Sequence, residues 1–484
     1  MERRQEAWAR KPVETQEKVF QNLMVTGKAT VFGADHHLSG VNSYADFKQA
    51  VPIRDYEDLI PYIDRVKAGE ANVLWKGRPL YFAKTSGTTS GVKYIPISRE
   101  GIPNHVTEAR NSVLSYIHGT GKSRFMDFGL IFLSGSPILD QINGIHTGRL
   151  SGIVNHHVPN WIRSHQIPDY KTNCIEDWEA KLDRIVDLSI SRRIGMVSGI
   201  PPWVQMYFDR IRERSGKAIK DIFPDFSLMV FGGVNFEPYR NRLFDTIGKK
   251  IDTVELYPAS EGFFAYQDSQ EHPGMLLLLN SGIFYEFIPA DEFYNKNPTR
   301  LGIEDVKTGV NYAMIISTNS GLWGYSMGDT VKFVSTKPYR VVVTGRIRHF
   351  ISAFGEHVIG EEVEQALKNT MLYHPETEVV EFTVAPQVTP SEGLPHHEWL
   401  IEFGRMPANM PAFERRLDEQ LRKLNTYYND LISGRVLEQL HITRLKPEAF
   451  RTYMKLNGKL GGQNKVPRLS NDRLLADELS GLKL

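Results

Sequence analysis

A chain of 484 residues is long enough for two to four domains with cores of their own. Its composition, 41% hydrophobic, 11% aromatic and 24% charged, is globular and excludes a disordered chain or a coiled coil. Lys and Arg total 58 against 57 for Asp and Glu, and a formal charge of +1 leaves no cationic surplus for a nucleic-acid partner.

The N-terminal run Met1-Glu2-Arg3-Arg4-Gln5-Glu6 has mixed charge and no apolar stretch behind it, which predicts no secretory leader. Trp8, Val13, Phe20, Leu23 and Met24 then recur at near-helical spacing, and Ser43 heads a second capped helix. Between residues 125 and 345 the texture changes to short apolar strands ended by glycine, such as 128–133, 228–233 and 253–257, with helices predicted at 176–190 and 202–212. Strands alternating with helices indicate an α/β body with partly buried sheets. Four later segments (282–289, 312–318, 329–334 and 339–344) lie too close together for crossover helices and predict antiparallel hairpins. After Gly345 the pattern resets. Helices at 361–371 and 412–424 with strands at 378–384, 398–403 and 440–445 predict a separate α+β domain, so the expected division is 1–345 and 346–484. The longest apolar run, 275–279, is far short of the roughly 18–20 residues of a membrane span, so no membrane partner is expected. Cys174, the single cysteine, excludes an internal disulfide and a thiolate metal cluster, in keeping with a cytoplasmic, reducing compartment.

The most informative stretch is Lys84-Thr85-Ser86-Gly87-Thr88-Thr89-Ser90-Gly91-Val92-Lys93. Its small residues free the backbone to curl, so that N–H groups and hydroxyls face an anion while Lys93 adds a point charge. It is not a Walker loop, because Gly87 and Gly91 are too close and no Gly-Lys follows. Gly121-Lys122-Ser123 resembles the end of such a loop but follows a helical segment, which predicts a surface loop.

Gly324-Tyr325-Ser326-Met327-Gly328 matches the G-x-S-x-G nucleophile elbow of serine hydrolases. That elbow needs a strand before the serine and a helix after it. The β-branched run Asp329-Thr330-Val331-Lys332-Phe333-Val334 predicts a strand instead, so the hydrolase reading fails. His146, His156, His157 and His165 cluster in sequence without a ligand spacing, and on a strand His156 and His157 would point to opposite faces.

Three further elements act in combination. Tyr257-Pro258-Ala259-Ser260-Glu261-Gly262 ends a strand with a carboxylate at its C-terminal edge, where α/β sheets place ligands. Asp329 follows the glycine turn at Gly328. Gly461-Gly462-Gln463-Asn464-Lys465-Val466-Pro467-Arg468 is a glycine-rich loop carrying a lysine.

In this order the segments resemble the Gretchen Hagen family of acyl acid amido synthetases, as a bacterial-type member within the acyl-adenylate-forming (luciferase-like) superfamily. Residues 85–93 resemble that family's first ATP motif, 257–261 its second, 325–329 its third and 463–468 its C-terminal lysine loop. Phe47-Lys48, Val51-Pro52 and Tyr56-Glu57-Asp58-Leu59 resemble its lead-in. Thr85-Ser86 and Thr89 stand where plant members usually carry serines, and Ser326 stands where a basic residue is common. The chain is also shorter than plant members, so no hormone substrate is carried over.

The resemblance implies an α/β fold: a large N-terminal domain of helix-flanked β-sheets with a small β-barrel-like part, and a small mobile C-terminal α+β domain. It implies ATP-dependent adenylation of a carboxylic acid, with pyrophosphate released, then attack of an amino acid on the acyl-adenylate, with AMP released. By the same resemblance Thr85, Ser86, Gly87, Thr88, Thr89, Ser90 and Lys93 would hold phosphates. Gly233, Tyr257, Ala259, Ser260 and Tyr325 would line the nucleotide slot, Asp329 would accept from the ribose, and Glu261 would ligate Mg²⁺. Arg346 would sit at the hinge, and Lys465 would reach the α-phosphate when the small domain closes. Residues 146–163 and 199–206 resemble acyl-site walls. A carboxylate–CoA ligase and a non-catalytic nucleotide-binding protein remain as alternative readings.

Overall fold

The computed structural model describes residues 7–88, 91–233, 236–347, 350–351, 353–356, 358–457 and 466–484. The chain divides into two compact units, the larger comprising Met1–Thr85, Lys93–Gly233 and Arg242–Ile347, the smaller Ser86–Val92, Val234–Asn241 and Arg348–Leu484.

The larger unit opens with helices Pro12–Gly27, Tyr44–Ala50 and Tyr56–Lys67. The second and third start where Ser43 and Asp55 accept from the third backbone N–H of the helix while Asp46 and Asp58 reach back, a reciprocal cap at each. Strands β1 (Tyr81–Thr88), β2 (Gly91–Ile97), β4 (Asp140–Ile142) and β5 (Ile145–Gly148) form a small sheet in the order β2-β1-β5-β4. The main sheet takes β3 (Gly129–Phe132), β6 (Gln166–Ile167), β7 (Ile194–Ser198), β8 (Leu228–Gly232) and β9 (Asp252–Ala259). It continues through β10 (Gly262–Tyr266), β11 (Met275–Leu277), β12 (Ile283–Pro289), β13 (Asn311–Thr318), β14 (Tyr325–Thr336) and β15 (Tyr339–Arg346).

The order in this sheet is β12-β13-β14-β15-β11-β10-β9-β8-β7-β3-β6. From β9 to β6 the pairing is parallel, with helices Trp178–Ser189 and Pro201–Ser215 in the connections; from β12 to β9 it is antiparallel. The four segments are indeed successive antiparallel strands, β12 to β15. The expected barrel-like part takes the form of an open, curled antiparallel half; no closed barrel forms among the described residues. One edge of β9 pairs with β8 of the parallel half, so that edge is not available to close a ring with β12.

The antiparallel half nevertheless curls. Phe264 on β10 and Tyr285 on β12 are five strand spacings apart in the sheet order, about 24 Å if the sheet were flat. Their ring centroids are 6.4 Å apart. A run of ring contacts, Tyr257–Phe264–Tyr285–Phe287–Phe333–Tyr339, with centroids 5.0 to 6.4 Å apart, fills the trough this curl makes.

The smaller unit is α+β. Its sheet runs β18 (Glu378–Gln387), β19 (His396–Arg405), β20 (His441–Leu445), the first pair antiparallel and the second parallel; β16 (Phe350–Ile351) and β17 (Val358–Ile359) pair separately. Helices Gly360–Met371 and Met410–Leu424 pack together, and a core of Leu400, Leu445, Phe450 and Leu475 sits under the sheet. No helix among the described residues is long and apolar enough to cross a membrane.

Candidate active site

Curling brings the second and third motifs together within the larger unit. Four strand spacings separate β9 from β14, about 19 Å in a flat sheet, beyond the reach of a tyrosine meeting an aspartate. Yet the buried Tyr257 hydroxyl donates to Asp329 Oδ2 at 2.7 Å, and the Tyr325 hydroxyl donates to Glu261 Oε1 at 3.3 Å. The two pairs are reciprocal: each motif supplies one phenol and one carboxylate. Glu261 and Ser260 form the turn between β9 and β10, with Ala259 opposite Gly262. Gly233 follows β8 at φ +84°, a backbone shape that favours glycine. At Gly232 a Cβ would meet the Leu256 carbonyl oxygen at 2.4 Å, so only glycine lets β8 lie this close to β9.

The third motif has a support that its residues do not reveal. Beyond the reach of β15, which pairs with β14 only from Asp329 onward, the edge of β14 is taken by the lead-in segment. Arg54 donates its N–H to the Gly324 carbonyl at 2.9 Å and accepts from Ser326 N–H at 2.7 Å, a parallel bridge to Tyr325. Gly324, at φ +56°, packs against Pro52, whose oxygen would lie 2.8 Å from an added Cβ. Val51, at the end of the preceding helix, is itself held by Arg300, which donates to its carbonyl at 2.6 Å and to Glu286 through both carboxylate oxygens at 2.8 Å.

Ser326 lies inside β14 with no helix after it, so the strand reading holds and no nucleophile elbow exists there. Gly121 closes helix Ile102–Thr120 in the left-handed region, a helix cap rather than a phosphate loop. Thr85 is on β1, which continues as extended backbone through Ser86, Gly87 and Thr88. The expected curl therefore does not begin before Thr88; Thr89 and Ser90 lie outside the described residues. Lys93 on β2 sits 5.6 Å over the Tyr56 ring, whose hydroxyl accepts from Tyr94 N–H at 2.7 Å. Arg346 ends β15 opposite Asp329 in the backbone register.

Lys465 lies outside the described residues, in the smaller unit. The residues just after it are anchored: Thr383 donates to the Pro467 carbonyl at 2.7 Å and Val384 N–H to the Arg468 carbonyl at 3.0 Å. The Arg468 guanidinium donates to Glu364 at 2.8 Å.

Among the histidines, His156 and His157 do not lie on a strand. They follow the short helix Leu150–Asn155, whose sequence is too brief to show a period. His156 bonds the Pro137 carbonyl at 2.7 Å, and His157 meets the Tyr81 hydroxyl at 3.0 Å, where burial lowers its imidazole pKa. Sequence patterning gave no sign of Lys181, whose ammonium is buried against the Ser134 and Asn173 carbonyls at 2.8 and 2.9 Å. Burial pulls it down to about 8.

The segments fall into the same order in known proteins. Residues 1–134 match the GH3 family N-terminal domain, 276–346 its central domain and 361–474 its C-terminal domain. The chain belongs to the GH3 family. Curated GH3 relatives are distant. Jasmonoyl–L-amino acid synthetase JAR4 of Nicotiana attenuata is 22% identical over 381 residues, spanning 66% of this chain and 66% of its own length. Indole-3-acetic acid-amido synthetase GH3.3 of Arabidopsis thaliana is 22% identical over 544 aligned residues, spanning 94% of this chain and 88% of its own length. In fold, the GH3 chain matches the GH3.15 acyl acid amido synthetase with a TM-score of 0.60 at 16% identity, covering 98% of this chain and 94% of that one. It matches a 2-hydroxyisobutyryl-CoA ligase with a TM-score of 0.59 at 13% identity, covering 97% and 92%. Both likenesses concern the fold alone.

Proposed function

We propose that this chain is an ATP-dependent acyl acid amido synthetase. The observation that carries the reading is the reciprocal clasp of Tyr257 with Asp329 and Tyr325 with Glu261, set in a GH3 chain. In the first step a carboxylate oxygen of the acid attacks the α-phosphorus of ATP; an O–P bond forms, the α–β anhydride breaks and pyrophosphate leaves. In the second an amino acid nitrogen attacks the acyl carbonyl; a C–N bond forms, the C–O bond to AMP breaks, and the ammonium proton passes to solvent. The first step drives two anions together and therefore needs fixed positive charge. Lys93 and Lys465 are our candidates, with hydroxyls and N–H groups of residues 85–90 as donors to phosphate oxygen.

Asp329, held by the Tyr257 hydroxyl, presents a fixed carboxylate for ribose hydroxyls, and the ring of Tyr257 walls the adenine slot beside Gly233. Glu261 offers the oxygen ligand that a hard cation prefers. Among the described residues no cluster of three imidazole or carboxylate ligands forms around it, which fits Mg²⁺ bound through one carboxylate, water and phosphate oxygen. When bound, Mg²⁺ would offset phosphate charge. Lys181, His157 and Tyr81 are candidates for the acyl side, on or beside the segments that resemble its walls.

The test is a panel of carboxylic acids in ATP–pyrophosphate exchange, followed on any hit by amino acids and, separately, coenzyme A as acceptor. Acid-dependent exchange with amide product is the expected result. Exchange with thioester product alone would replace the amine by a thiol, and no exchange with any acid would remove the reading. In the same assay Asp329→Asn is expected to weaken ATP binding about 10–150-fold, the equivalent of about 1.5–3 kcal/mol for one charge-assisted bond. An unchanged affinity would take Asp329 out of the nucleotide site.

A further inference from the structure

We propose that His396, Glu438 and His441 form a binding site for a divalent d-block cation of the zinc type in the smaller unit. His396 opens β19 and His441 opens β20; in the parallel register Glu398 is opposite His441, so His396 stands two residues before that position, on the same face. Glu438 lies three residues before His441, fixed by its N–H donating to the Pro395 carbonyl at 3.0 Å. Its Oε1 is 3.3 Å from His396 Nδ1 and 3.1 Å from His441 Nε2, and the two imidazole centroids are 4.3 Å apart at 75°.

These separations have the scale of a coordination shell. Tetrahedral bonds of about 2.0–2.1 Å to nitrogen or oxygen place neighbouring ligand atoms about 3.3–3.4 Å apart. Two imidazoles and a carboxylate suit zinc, cobalt or nickel rather than Mg²⁺ or Ca²⁺, which take oxygen alone. The surroundings fit too. The other nitrogen of His441 lies 3.9 Å from Glu414 Oε1, longer than a hydrogen bond, and a small turn of either side chain would give it the outer carboxylate that commonly orients a ligating imidazole. His396 Nδ1–H donates to the Leu394 carbonyl at 3.1 Å, and a bound cation would take the place of that proton. Exposure grades from 12% at His396 through 31% at Glu438 to 49% at His441, leaving one side open for entry and for a water ligand. The cation would tie the start of β19 to the segment leading into β20, and the site shares no residue with those assigned to nucleotide or acid.

The full chain, stripped with chelator, is titrated with Zn²⁺ by calorimetry and with Co²⁺ by visible absorption. Wild type is expected to take up an equivalent of Co²⁺ with the d–d bands of a four-coordinate ion. That equivalent should be lost in His396→Ala and His441→Ala, with zinc affinity at least about 100-fold weaker, and Glu414→Gln should weaken it about 10-fold. Excess Zn²⁺ should raise the thermal midpoint of wild type and not of His441→Ala, a half-exposed position whose loss leaves the core intact. Because the chain carries 15 histidines, the comparison with the His396→Ala/His441→Ala double variant decides. Equal affinity and equal cobalt spectra in the two proteins would overturn the site, whatever the outcome for amide synthesis.

Discussion

Lys465→Ala is expected to lower acid-dependent ATP–pyrophosphate exchange by about 10²–10³ while leaving amide formation from a supplied acyl-adenylate nearly unchanged. The reason lies in where charge develops. During adenylation a carboxylate approaches a phosphate, and negative charge accumulates on the oxygens around the α-phosphorus before pyrophosphate departs. A preorganised ammonium there stabilises the transition state far more than the separated reactants. During amide formation the attacked atom is a carbonyl carbon, the nucleophile is a neutral amine, and the departing AMP already carries its phosphate charge. A cation tuned to the first event has little left to contribute to the second. The lysine is assigned through the resemblance of residues 463–468 to the family's lysine loop, and the anchoring of Pro467 and Arg468 onto β18 fixes the chain two residues downstream. Pyrophosphate exchange and single-turnover amide formation, measured on the same variant, check it. Equal loss in both half-reactions would refute the division of labour, and full activity in both would make Lys465 a surface residue.

Arg300→Ala is expected to destabilise the larger unit by about 3–5 kcal/mol, because it strands a buried carboxylate. Glu286 on β12 is fully buried and Arg300 nearly so, with side-chain exposures of 0% and 8%. Two parallel N–H···O bonds of 2.8 Å join them, and the Tyr44 hydroxyl donates to Glu286 at 3.0 Å. Burial and the neighbouring Glu286 charge push the Tyr44 hydroxyl far above its ordinary pKa, so it stays a donor. Without the guanidinium, Glu286 must pick up a proton or remain charged out of water. The same change frees the Val51 carbonyl and with it the segment that edges β14. Glu286→Gln placed in the Arg300→Ala background should recover part of the loss, since a neutral amide is cheaper to bury. Six of the seven tryptophans belong to the larger unit, so urea unfolding followed by tryptophan fluorescence reports mainly on it. A loss below about 1 kcal/mol would show that the pair is not the clamp its geometry suggests.

What could be read along the chain was whatever leaves a local period. Segments 312–318, 329–334 and 339–344 predicted hairpins because the stretches between them, 319–328 and 335–338, are shorter than the dozen or so residues a crossover needs. The β-branched run after Ser326 ruled out a nucleophile elbow. Both hold in the structure. What had no local trace was set by strand order and curvature. Tyr257 and Asp329 are 72 residues apart, and their hydrogen bond exists only because the sheet curls. Arg54 reads as an ordinary basic residue, yet its backbone completes the edge of the third motif. That the barrel-like part stays open has no local trace either, since no local period records that β9 pairs with β8 on one edge. His396 and Glu438 meet through a parallel register between β19 and β20 that the chain's alternation does not encode.

The aromatic filling of the trough has a mechanical side. Tyr257, Phe264, Tyr285, Phe287, Phe333 and Tyr339 stand between strands that the sheet order keeps apart, and interiors at crystal-like density resist compression. The width of those rings therefore sets the radius of curvature, and the radius sets how far β9 stands from β14. Spacing between the two phenol–carboxylate pairs is a dimension of the hydrophobic interior, gauged by side chains most of which would never touch a nucleotide. A smaller ring at Phe287 or Phe333 would tighten the curve and a larger one at Phe264 would open it. The polar site would be retuned with none of its own residues altered.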